Sequence, residues 1–254
     1  MNMVKAEFYK LKKSTPFWIC LLICAFFAAL LPFALQQAVA SGEPDVQNLS
    51  LSAVEIMGHS LSMPVLSLVA AVFVSIFVSG EFHHGTMKNY ISKGFRREHI
   101  FLSKFLACAV AVTVMFAVFI PVVLISGTIF LGFDPHGVFQ PADFAGTLVT
   151  SWLLFMAYVA VFVAIATLLR SNGAAIATNI CIVSILPTLL QALDFLFERI
   201  GFKISPFWIG EKLSSVTSLP LPSGALLSGI ITAIIYVIAA SVVGIYLFKK
   251  HDVK

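Results

Sequence analysis

Glu81, His83, His84, Thr86, Lys88, Lys93, Arg96 and Arg97 crowd into the segment 80–97, the only long basic stretch of an otherwise apolar chain. Their types could grip a phosphate, hold a metal or pair with charges on a partner. Gly80-x-x-x-x-Gly85-Thr86 has the outline of a phosphate-binding loop. It lacks the lysine before the hydroxyl residue that reaches the outer phosphates, and no strand precedes it, so nucleotide hydrolysis by this route is excluded. His83 and His84 are adjacent and point to different helix faces, so they do not chelate one ion together. Neither a His-Glu-x-x-His run nor a Gly-x-Ser-x-Gly elbow occurs. Glu81 is more informative. A carboxylate at a helix C-terminus opposes the helix dipole, so it is expected to meet a cation, from Lys88, Arg96 or Arg97, or a partner protein.

The elements that carry this segment are membrane spans. Of the 254 residues, 59% are hydrophobic and 11% charged, against roughly 45–50% and about 25% in a soluble domain. The excess is gathered into long runs, which makes this an all-α polytopic membrane protein. Six runs reach the roughly 20 residues a bilayer needs: 17–35, 61–78, 105–130, 147–169, 174–197 and 226–248. They form a single domain over residues 1–254. The third span exceeds a roughly 30 Å bilayer core, so it is expected to tilt or to bend at Pro121, and Pro32, Pro64 and Pro187 mark candidate kinks in three others. Cys20, Cys24, Cys108 and Cys181 all fall inside spans, without histidine or carboxylate at zinc-ligand spacing, so they read as small apolar packing residues and no metal is expected.

Charge sets the direction. Thirteen lysines and arginines fall on one side of these spans and three (Arg199, Lys203, Lys212) on the other, which places both termini in the cytoplasm. Val4, Phe8 and Leu11 recur at helical spacing beside Lys5, Lys12 and Lys13. Residues 1–15 are therefore expected to form an amphipathic interfacial helix. Ala38-Val39-Ala40 resembles a signal-peptidase site, but the apolar run before it exceeds a signal core, and a retained first span is favoured. The last outer loop, 198–224, carries enough aromatic and apolar residues to form a short helix on or in the outer leaflet, or an irregular packed loop. No basic-aromatic patch of the nucleic-acid kind is present.

The string Glu81-x-x-x-Gly85-Thr86-Met87-Lys88-Asn89, followed by Gly94-x-x-Arg97-x-x-Ile100-x-x-x-Lys104, resembles the segment between spans two and three of bacterial type-2 ABC exporter permeases. The variant is similar to the branch that holds peptide-antibiotic self-protection permeases, although Arg96 replaces that branch's usual small polar residue. Six spans, two cytoplasmic termini, an N-terminal interfacial helix and an elaborate last outer loop extend the resemblance to the whole chain. It implies a cytoplasmic coupling helix that docks on a separate ATPase. The residues placed there by position are Glu81, Gly85, Thr86, Lys88, Asn89, Gly94, Arg97 and Lys104. It also implies a second permease, identical or related, in the bacterial cell membrane. ATP and magnesium would bind the partner ATPase, with no cofactor in this chain and a link to antibiotic resistance.

The expected function is thus export of an amphipathic substrate such as a peptide antibiotic or lipid. Spans almost free of charge favour such cargo over an ion. Thr113, Asn179, Thr188 and Gln191 are the polar candidates along the path, although buried hydroxyls and amides more often bridge helices. One rival is a membrane-embedded hydrolase of lipid-linked substrates using His59, Glu55 or the outer acids. Their spacing forms no convergent acid–base pair. The other is a scaffold that transports nothing.

Overall fold

The computed structural model describes residues 3–41, 52–83, 96–134, 140–197, 203–218 and 221–250. Every regular element among them is helical: α1 Met3–Lys13, α2 Thr15–Ala40, α3 Ala53–Ser62, α4 Val65–His83, α5 Arg97–Leu131, α6 Pro141–Leu169, α7 Asn172–Leu196, a 3₁₀ turn Ser205–Phe207, α8 Ile209–Thr217 and α9 Ala225–Lys250. Six of these (α2, α4, α5, α6, α7 and α9) are long and apolar enough to cross a membrane. The six expected spans are therefore present, most of them longer than the apolar runs alone indicated.

Two ends of the bundle differ in chemistry. The basic end holds α1, the C-terminus of α4, the start of α5 and the α6–α7 connection. There Arg170 closes α6 in the left-handed conformation, with φ 54°. Its guanidinium carbon stands 5.8 Å from the centroid of the Phe82 ring on α4. The opposite end holds α3, the 3₁₀ turn and α8. α4, α5 and α6 form the centre, with Phe73, Phe119, Phe155 and Phe162 fully buried. α2 lies along α5 through Cys20, Cys24 and Ala28, one small residue per turn, so the backbones approach closely. Ser126 Oγ of α5 reaches Ala28 O at 3.4 Å. The packing role expected of Cys20 and Cys24 is what the structure shows. α9 covers α6 on the other flank.

One element departs from the expectation. Residues 61–64 are not the start of the second span. They end a separate buried helix, α3, and the span begins at Val65. Pro64 is the cause. It disfavours helical dihedrals in the residue before it, and Met63 adopts φ −64°, ψ 144°. Pro64 therefore breaks the chain, whereas Pro32, Pro121 and Pro187 are accommodated within helices.

The sequence does carry a start signal for α3. Ser52 and Glu55 form a capping box, with Glu55 N donating to Ser52 Oγ at 3.2 Å and Ser52 N donating to Glu55 Oε2 at 2.9 Å. Ala53 N then donates to Gly132 O at 3.0 Å, which ties α3 to the end of α5. Ser52→Ala should cost about 1 kcal/mol, the usual value of such a cap, read as a lower unfolding midpoint with unchanged helix content. A change indistinguishable from zero would show that burial alone holds α3.

The 198–224 loop contains the expected short helix among its described residues. Ile209, Leu213, Val216 and Thr217 recur at i, i+4, i+7, i+8 and are buried, so α8 turns its apolar face onto α3, α6 and α9.

Candidate functional site

α1, α4 and α5 meet at the basic end around four charged side chains. Lys104 lies on the same face of α5 as Ile100 and Phe101, all three essentially buried. A lysine at that depth is untenable alone, because taking an ammonium out of water costs several kcal/mol. Its Nζ donates to Glu81 Oε2 of α4, and to Glu7 Oε1 of α1 at 3.3 Å. Lys10, one turn further along α1 and 40% exposed, donates to the other oxygen of Glu81. Lys10 Nζ also lies 4.7 Å from the centroid of the Phe77 ring, below Glu81 on α4. Two carboxylates and two ammonium groups thus form a neutral chain across three elements. Glu7 Oε2 is buried and has no hydrogen-bond partner among the described residues.

This arrangement fixes the two ends of the segment between α4 and α5. Glu81 sits in the last turn of α4 and Lys104 in the second turn of α5, so their pairing closes the base of the connection. α1 then adds a third support from outside. The cation expected for Glu81 is present. It comes from α5 and α1, beyond the three nearby residues considered first.

Of the residues expected to couple to a partner, Gly85, Thr86, Lys88, Asn89 and Gly94 lie outside the described residues. Arg97 opens α5, and its side chain lies outside them too. Glu81 and Lys104 are the members brought together. Glu7 and Lys10 were missed, yet Glu7 carries a signal. It falls on the Val4–Phe8–Leu11 stripe at i+3, a carboxylate on the face that must be buried.

The four path candidates do not converge. Thr113 Oγ1 accepts from Trp152 Nε1 at 3.0 Å, linking α5 to α6. Asn179 is fully buried and donates to Ser75 Oγ at 2.9 Å and to Phe162 O at 3.4 Å, linking α7 to α4 and α6. Gln191 donates to Glu211 Oε1 of α8 at 2.5 Å. Thr188 is exposed on α7. Glu55 is held in its capping box while His59 is exposed, so these two residues of the hydrolase reading are not assembled, and Glu43 and Asp45 among its outer acids lie outside the described residues. Among the described residues, no three His, Cys, Asp or Glu side chains are grouped to hold a metal.

Residues 3–188 match the family model described as ABC-2 family transporter protein. The chain belongs to the ABC-2 transporter family. The match spans α1 to the middle of α7 and includes the whole ionic site. No curated protein sequence matches the chain significantly. As an ABC-2 family member, the chain is a multi-pass membrane subunit of an ABC transporter, and the family implies an ATPase partner. The membrane-embedded hydrolase is set aside on the same ground.

Proposed function

We propose that this subunit couples ATP hydrolysis on a separate ATPase, which binds the nucleotide and magnesium, to export of an amphipathic substrate. The substrate would be a peptide antibiotic or a lipid, as in the self-protection branch that the 81–104 string resembles. The subunit would work with a second permease, identical or related, in the bacterial cell membrane, with the basic end and both termini in the cytoplasm.

The buried pairing of Glu81 with Lys104 carries this reading. A segment that receives mechanical work needs a stiff base, and a desolvated ion pair across α4 and α5 supplies one. Residues 84–95, with Arg97, would form the coupling element that meets the ATPase. Glu81 and Lys104, being buried, would act as positioning residues, passing displacement of that element into α4 and α5. Glu7 and Lys10 would carry the same displacement into α1. The ATPase can shift the spans only by binding one of their states better than the other, and the charged segment offers contacts for that difference.

Co-purification tests it. An ABC-type ATPase should elute with the tagged wild-type protein when it is purified from its native host. The Lys88→Ala/Arg97→Ala double variant should recover less than a tenth as much while inserting normally. Wild-type recovery of the complex together with wild-type export in that variant would rule out the assigned role.

A further inference from the structure

At the opposite end of the bundle a cavity of about 480 Å³ opens between the α3–α4 break, α6, α7 and α8. Its walls divide by chemistry. Val183, Pro187 and Leu213 form an apolar side, while Ser67, Ser184 and Tyr158 bring hydroxyls. Glu211 is the one charged side chain in the lining. The next residue of α8, Lys212, donates to Ser228 of α9 at 3.4 Å and lines no part of the cavity. Lys203 sits with Asp194 around an adjoining hollow. Glu211 thus offers a negative charge at the edge of a mixed cleft, where among the described residues the amide of Gln191 donates to it.

Trp208, 7% exposed, packs edge-on against the ring of Tyr158 with 6.2 Å between centroids, and Tyr158 lines the cavity. Gly210 lines the cavity, and a Cβ built there would lie 3.0 Å from Tyr158 Oη and 3.2 Å from Trp208 Nε1. The absent side chain at Gly210 thereby leaves both polar groups beside the cavity wall.

We propose that this cavity is a binding site for an amphipathic organic cation: an amine that pairs with Glu211, attached to a compact apolar body lying against Val183, Pro187 and Leu213. The idea rests on the transport reading only in treating that ligand as cargo. Binding itself needs neither the ATPase nor ATP.

The test uses the full chain in lipid nanodiscs, titrated calorimetrically with 4-phenylbutylamine, 4-phenylbutanol and 4-phenylbutyrate, with empty discs subtracted. The amine should bind saturably to one site, the alcohol at least tenfold more weakly and the carboxylate not at all. Glu211→Gln should bring the amine down to the level of the alcohol. Ser184→Leu, on the exposed face of α7, should weaken both by filling the space. Amine binding no tighter than alcohol binding, or amine binding unchanged in either variant, overturns the proposal. Should Glu211→Gln fail to elute as a monodisperse species, the Ser184→Leu result decides alone. Failure of the wild-type chain to recover any ATPase, with amine binding intact, would count against the coupling role and leave this site standing.

Discussion

Lys104→Met lowers the stability of the bundle by about 3–5 kcal/mol, the usual cost of removing one partner from a buried ion network. The substitution keeps the side-chain volume but leaves Glu7 and Glu81 facing each other without the ammonium between them. Lys10 remains on Glu81, but it is part-exposed and does not replace a charge at the centre of the cluster. The measurement is the midpoint of an SDS unfolding titration of the purified protein. The triple variant Glu7→Gln/Glu81→Gln/Lys104→Met should recover most of the loss, because an uncharged site of the same shape has no buried charge to solvate. A loss below about 1 kcal/mol in the single variant would show that water reaches Lys104 and that the network is not sealed.

The triple variant also separates stability from coupling. If the ion chain acts only as a structural clamp, the recovered protein should export as well as wild type. The positioning role proposed above requires the opposite, a folded complex whose ATP turnover no longer drives export. Rescue of export in the triple variant would remove the ionic chain from the mechanism.

Gly58→Leu is the second large effect, at the other end of the molecule. Gly58 lies on the buried face of α3, and a Cβ there would collide with the carbonyl oxygen of Thr217, which is backbone and cannot rotate away. The contact is reinforced by the Ser62–Thr217 hydroxyl pair and by Thr147 Oγ1 donating to Val216 O at 3.2 Å. Over-packing a core costs about 1–3 kcal/mol even where side chains can move, and here two helices must separate. The expected result is a loss at or above the top of that range. Trypsin cleavage after Lys212 should also accelerate as α8 lifts from α3. Gly173→Ala is the control, since a Cβ at that position meets nothing within 4 Å. Equal behaviour of the two variants would mean that α3 and α8 are not in rigid contact.

Much of the architecture was legible because a bilayer imposes a simple rule on sequence. A helix that satisfies its own backbone must present about 20 apolar residues, and six such runs stand out from any register. Cys20 and Cys24, small residues sharing one helix face, likewise read as packing positions, and both are buried. α3 was harder. Its apolar residues merge with the following span, and only Ser52, Glu55 and Pro64 mark it as a separate helix. The charged site was legible in part. Glu81 and Lys104 stood out through their place in the family-like string, whereas Glu7 was missed although its position on an apolar stripe was a signal for it.

Sequence by itself determined the number of spans and the segregation of basic residues, since each is set by composition along a line. Only the tertiary structure decided that Glu81 is matched by Lys104 and Lys10, that Glu7 shares the same ammonium, and that α8 closes over α3. A buried charge takes its partner from whichever helix packs against it. That choice depends on distances between segments 71 and 97 positions apart in the chain, which no local spacing encodes.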